Sequence, residues 1–186
     1  MIKFYENYVD KKFFLIKLNQ NFGHNVIFLD EIYNNLPNYF AYTDCDLKLN
    51  ENLPKNFINI LCSLTDEFGC FKAGFALDIN KLNLKNQKNK FGDTILDWEK
   101  QFWLKKVIHP TYEIYSSVID TTFAVYNKNN DRNCGKKTKF NAIRVANEFT
   151  AIHYPWVIDD PMPEDELKEY LLHDKKKLVP GGTALK

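Results

Sequence analysis

Residues Tyr39 to Tyr42, "YFAY", form an unbroken apolar and aromatic run that leads through Thr43 into Asp44, Cys45 and Asp46. A run without polar alternation is the pattern of a strand covered on both faces, as in parallel sheets. Such a sheet needs helices on both sides, so this stretch directs the chain toward the α/β class. The preceding residues agree. Phe13 to Leu18 reads as a strand, and "NQNFGH" carries turn chemistry, with Gly23 free of the Cβ obstacle. Val26, Leu29, Ile32, Tyr33 and Leu36 then fall at helical spacing. Strand, helix and strand in this order make a right-handed crossover unit.

Further along, Pro54 suits a first helical turn and Gly69 the stop beyond its end. "FKAGFALDI" reads as a third strand, with Gly74 marking close approach of a ligand or of another backbone. "DTILDWEKQFWLKKV" reads as a helix capped by Asp93, with Ile95, Trp98 and Phe102 on its core face. "SSVIDTTFAVYNK" is strand-like in its β-branched and aromatic content. "FNAIRVANEFTAIHYPW" holds a strand and an irregular segment, and "PEDELKEYLLHDKK" a short helix. The stretches from Asn80 to Gly92 and from Asn127 to Lys139 are polar and read as loops. One domain over 1–175 followed by a loose tail over 176–186 is expected.

Composition narrows the function classes. With 186 residues, 45% apolar and 15% aromatic, the chain can bury one sizeable core. The formal charge is +1, and the lysines gather in loops and tail, which argues against nucleic acid as a partner. Cys45, Cys62, Cys70 and Cys134 have irregular spacings, which disfavours a zinc site. The charged opening residues give no sign of a signal peptide or membrane-spanning helix, so free thiols in a reducing cytoplasm are expected.

In open α/β sheets ligands sit beyond the carboxyl ends of the strands, where Asp44 and Asp46 are expected to lie. Two carboxylates that close repel unless a cation lies between them or one is protonated. Mg²⁺ or Mn²⁺, which take oxygen ligands and bridge phosphate oxygens, would answer that need. The competing reading is an exposed turn with Asp44 capping local amides.

"YTDCDLKLNENLP", "KAGFALDI", "DWEKQFW", "DTTFAVYNK" and "IRVANEFTAIHYPW", in this order, resemble a small bacterial family of glycosyltransferases with the GT-A fold. The resemblance covers roughly residues 13–160, and "NQNFGHN" resembles the turn before that family's Asp-x-Asp strand. It implies a three-layer α/β/α sandwich around a mostly parallel sheet. It also implies a nucleotide-diphosphate sugar as donor, with a UDP-sugar the first expectation, a glycan hydroxyl as acceptor, and Mn²⁺ or Mg²⁺ as cofactor. Asp46 would be the direct metal ligand, Asp44 would lie near the ribose or a metal-bound water, and His153 would complete the shell, its plain reading being a histidine that only packs and hydrogen-bonds beside Tyr154 and Trp156. By the same resemblance, the work would be surface polysaccharide or lipo-oligosaccharide synthesis in the cytoplasm at the inner face of the membrane. Peripheral membrane association and a homo-oligomer are compatible with it.

Other residues gain candidate roles from the same resemblance, each beside a plainer one. An inverting transferase needs a base for the acceptor hydroxyl. Glu99 is the first candidate and Asp97 the competitor, with Trp103 and Gly74 on the acceptor side; a solvated helix charge is the plain reading of Glu99. Lys72 and Arg144 would meet the diphosphate or be paired structural charges. His24 would touch the nucleotide or shape its turn. Asp120 would hydrogen-bond amides or a site loop, while His109 and His173 read as surface residues.

One departure matters. Family members begin with a further strand and helix that hold the nucleoside base, and here Met1 stands shortly before "KKFFLIKL". The expectation is a chain lacking that unit, with weakened donor binding. A non-catalytic, glycan- or partner-binding domain is therefore the alternative. Metal-dependent phosphoryl transfer is a third class, disfavoured because no glycine-rich phosphate loop occurs.

Overall fold

A computed structural model describes residues 16–18, 22–79, 94–119, 122–133, 141–157, 163–165 and 168. The 3-10 turn Gly23–Phe28 leads into a single helical turn, α1 (Asp30–Tyr33). Strands β1 (Tyr39–Tyr42) and β2 (Leu47–Leu49) follow, then α2 (Phe57–Phe68) and β3 (Lys72–Phe75). Next come α3 (Ile95–Lys100), the 3-10 turn Gln101–Trp103, β4 (Lys106–Val107) and β5 (Ile114–Ser116). β6 (Ala124–Asn127), β7 (Ala142–Val145) and β8 (Ala151–His153) complete the strands, with the 3-10 turn Tyr154–Trp156 after β8.

Six strands form one sheet in the order β1-β6-β3-β7-β5-β4, and β2 pairs with β8 in a separate ribbon. The α/β class expected from sequence is what forms. The mostly parallel sheet is not: of the five neighbour pairings among the described residues, only β3 with β7 is parallel. β1, β3, β4 and β7 still share one direction, because β6 and β5 run opposite to them from the places in between. Their carboxyl ends therefore meet at one rim.

The apolar run of β1 misled in a second way. β1 is an edge strand, and Phe40 alone is buried. Its tyrosines are amphipathic, with apolar rings and polar tips. Tyr39 donates from its hydroxyl to Asp66 Oδ1 at 2.6 Å, so the run never needed cover on both faces. Of the strand expected over residues 13–18, residues 13–15 lie outside the described residues and 16–18 carry no strand. The helix expected after it is the 3-10 turn plus α1, with Ile27, Tyr33 and Leu36 packed against Phe40 and Tyr126.

α2 follows its sequence signals. Leu61 and Leu64 are buried, with Phe57, Ile60 and Phe68 along the same apolar stripe. Gly69 ends it at φ 56°, a left-handed backbone that glycine adopts without a Cβ penalty. This stripe packs on the face made by Ala73, Phe75, Val125, Ile143, Val145 and Ile114. The alternate residues of the same strands face the other way. Ala124, Tyr126 and Ala142 meet Phe40 and Ile119, while Tyr115 meets Ala76, Ala146 and Trp103.

At Gly74 the close approach is by backbone. A Cβ there would stand 2.4 Å from Phe123 O and 2.7 Å from Ala124 Cβ, so β6 occupies the space that was assigned to an acceptor. α3 is shorter than its sequence suggested, and its cap is Thr94; Asp93 lies outside the described residues. Trp98 is exposed rather than in the core, while Ile95 and Glu99 face inward. The strand expected over 116–128 begins only at Ala124, and β4 and β5 were not expected at all. Of the C-terminal helix, the described part includes an exposed ion pair between Lys168 and Glu164 at 2.9 Å. Asp120, Cys134, His173 and 176–186 lie outside the described residues.

Candidate metal centre

The β2–β8 ribbon brings together residues distant in sequence. Its antiparallel register sets Leu47 opposite His153, and the Tyr154 N–H donates to Asp46 O at 3.0 Å. Asp46, one residue before β2, thus lies beside the last residue of β8. The ribbon is tied to the main sheet where Leu77 bridges Ala151 in parallel. Ala151 N–H donates to Ala76 O (2.9 Å) and Asp78 N–H to Ala151 O (2.8 Å). Asp44 follows β1 and β8 follows β7, so the cluster sits at the rim where the co-directed strands end.

Asp44, Asp46 and His153 each offer a ligand atom, and these atoms all lie within 4.8 Å of one another. His153 Nε2 is 3.3 Å from Asp46 Oδ2, with the histidine side chain 13% exposed and the aspartate 37%. Asp46 Oδ1 and His153 Nδ1 are buried and have no hydrogen-bond partner among the described residues. Buried polar atoms of this kind are normally satisfied. Burial pushes the Asp46 carboxyl up, but hydrogen bonding to His153 and its charge outweigh this and hold it below the ordinary aspartate value. The Cys45 thiol between the two acids is pushed up by burial, with the Asp46 and Asp44 charges adding to it, the reverse of thiolate activation. Two carboxylates and an imidazole suit a divalent cation, and the nitrogen donor favours Mn²⁺ over Mg²⁺.

The remaining expected site residues do not join this cluster. Glu99 and Arg144 pair with each other in the core, each side chain 2% exposed. Arg144 also donates from Nε to Val118 O at 2.7 Å, and its guanidinium lies 4.2 Å from the Phe102 ring centre. A base must reach an acceptor hydroxyl, and a diphosphate contact must reach the rim; this pair does neither. Asp97 is exposed and accepts from Thr94 Oγ1 at 2.7 Å, a bond that holds its carboxyl below the ordinary value. Its own N–H donates back to Thr94 Oγ1, so Asp97 closes the helix cap.

Lys72 donates from Nζ to Ile119 O and lies 5.4 Å from the Tyr126 ring centre, which anchors it on the sheet face rather than at the rim. Trp103 packs edge-on to Tyr115, with ring centres 5.0 Å apart and its Nε1 buried without a partner. His24 lies in the first 3-10 turn, and its side chain is outside the described residues. His109 is not a surface residue. Its side chain is 7% exposed, its Nδ1 accepts from the N–H groups of Thr111 and Tyr112, and its Nε2 lies 3.4 Å from Glu67.

Two residues near the ribbon had no site role assigned from sequence. Asp78 is a buried acid at the end of the β3 extension, hidden in what read as a plain apolar strand. Trp156, 8% exposed, sets its ring against His153 with centres 4.9 Å apart. Its place just after a candidate ligand was the available signal.

Cys45, Cys62 and Cys70 form no disulfide. Among the described residues no helix is long and apolar enough to cross a membrane. No family model, no curated protein and no solved structure matches the chain.

Proposed function

We propose that the chain is a metal-dependent glycosyltransferase of GT-A type, taking a sugar from a nucleotide-diphosphate donor to a glycan hydroxyl, with inversion. The observation that carries this reading is the meeting of Asp44, Asp46 and His153, with the buried Asp46 Oδ1 without a partner among the described residues. The family resemblance gave reason to expect that histidine beside that aspartate pair. Asp44, Asp46 and His153 would hold the cation. A bound divalent cation supplies charge neutralisation to a departing diphosphate. Glu99 and Arg144 neutralise each other and receive no role in transfer, and the acceptor base is unassigned. The same buried pair favours a second reading, a domain that binds the nucleotide without turning it over.

Thermal unfolding with Mn²⁺ and UDP tests the site. A cation at a hundredfold excess over its Kd stabilises by about 2.7 kcal/mol. For a chain of this length that raises Tm by roughly 5–10 °C. The rise is expected in the wild type and absent in Asp46→Ala; an equal rise in both would sink the assignment. Release of UDP from a UDP-sugar by the Mn²⁺-loaded protein then separates the enzyme from the binding module.

A further inference from the structure

Five buried side-chain polar atoms among the described residues have no partner, and three of them belong to Asp46, His153 and Trp156. Their chemistry is not uniform. Asp46 Oδ1 only accepts. His153 faces Asp46 through Nε2, so Nε2 is the nitrogen that can share a cation with that carboxylate, and Nδ1 then carries the ring proton. Trp156 Nε1 only donates. Unpaired acceptors call for a cation, whereas an unpaired donor calls for an anion. A cation alone therefore leaves the indole unsatisfied.

The turn that carries Trp156 is well held. Tyr154 N–H is fixed to Asp46 O (3.0 Å), Pro155 is buried, and Val157 N–H donates to Tyr154 O (2.9 Å). The indole is thus fixed against the His153 ring while its N–H has no partner. We infer that the Trp156 indole N–H donates a hydrogen bond to a phosphate oxygen of a diphosphate held at this cation site. This rests on the proposed cation site and adds to it a residue that recognises the anion. The bond is charge-assisted, from a donor already desolvated, so its loss is felt in full.

Indole ¹⁵N–¹H NMR of the full chain tests it, with Mg²⁺ as the diamagnetic cation and inorganic pyrophosphate as the probe. The Trp156 resonance, identified by its loss in Trp156→Phe, is expected to move downfield when pyrophosphate joins Mg²⁺. It should not move to that extent with Mg²⁺ alone, and the Trp98 resonance serves as control. Calorimetry on Trp156→Phe, which keeps the ring, should show Mn²⁺ affinity within about twofold of wild type and pyrophosphate affinity about tenfold weaker. UDP should lose the same factor if the contact is to the diphosphate, and uridine none. The wild-type spectrum needs no variant to fold, apart from the assignment. An unmoved indole under bound pyrophosphate, equal affinities, or Mn²⁺ binding with no pyrophosphate binding would overturn the inference and leave the cation site standing. Failure of Mn²⁺ to bind the wild type would overturn both.

Discussion

Burying a guanidinium against a carboxylate is expensive in desolvation, and the pair persists only where geometry and further hydrogen bonds offset it. Arg144 meets that condition through Glu99, the Val118 carbonyl and the Phe102 ring. Removing one partner leaves an unpaired charge in the core. Glu99→Ala or Arg144→Ala should therefore lower stability by about 3–5 kcal/mol. The double replacement Glu99→Met with Arg144→Met should lose less than either single change. Urea unfolding of the three variants checks this; single losses under about 1 kcal/mol, typical of surface pairs, would refute the buried pair. The sequence hid it for a simple reason. A helix running to Val107 puts Trp98 and Phe102 on the core stripe and Glu99 off it. In the structure Ile95 and Glu99, one turn apart, face inward and Trp98 is exposed, and α3 ends at Lys100 in a 3-10 turn. Hydrophobic periodicity cannot see a charge on an inward face. The available clue was Arg144, alone among apolar residues in "AIRV".

Among the elements, legibility followed length. α2 carries an apolar stripe over twelve residues and a glycine stop; sequence found the stripe and the stop, while the helix starts at Phe57, beyond the Pro54 expected in its first turn. β4 and β5 have two and three residues, too few for any period to show. Polar side chains help hold them. Glu113 accepts from Lys106 at 3.1 Å, from Asn147 at 3.2 Å and from the Tyr115 hydroxyl, joining β4, β5 and the turn after β7. Asn147 sits at φ 58°, a conformation asparagine tolerates better than most residues. Burial, the bond to Glu113 and its charge push the Tyr115 hydroxyl from 10.0 up to about 12. The fold favours the neutral phenol, so this stabilisation is complete below pH 10.0 and lost as pH rises through about 12. Glu113 is held below its ordinary 4.5, by the Tyr115 bond first and then Lys106, so its contribution is present above 4.5 and lost as pH falls through the lower folded value. Tyr115→Phe should flatten the alkaline limb of stability against pH and soften the acid limb. Urea unfolding across pH measures both; profiles parallel to wild type would exclude the coupling.

At the scale of the molecule, sequence located the rim but not the sheet behind it. Asp44 and Asp46 do follow a strand at the end where β1, β3, β4 and β7 all finish. Strand direction relative to neighbours depends on which strand inserts between which, and no local pattern encodes that. The resulting architecture makes the candidate site the less secure part of the fold. Central β3 and β7 are buried at nearly every position, whereas the β2–β8 ribbon is two strands joined to the sheet through the Leu77–Ala151 bridge and its neighbouring hydrogen bonds. A two-stranded ribbon is marginal by itself, and local opening free energies fall where buried contacts are few. Amide exchange should thus be faster at residues 47–49 and 151–153 than at 73–75 and 143–145. A cation held by Asp46 and His153 links both strands at their shared end, so Mg²⁺ should slow exchange in the ribbon more than in the sheet. The Tyr154 amide, bonded to Asp46 O, should report the largest change. Uniform slowing of all amides would mean that the cation stabilises the whole fold without closing the ribbon. No change at the Tyr154 amide under saturating Mg²⁺ would place the cation elsewhere.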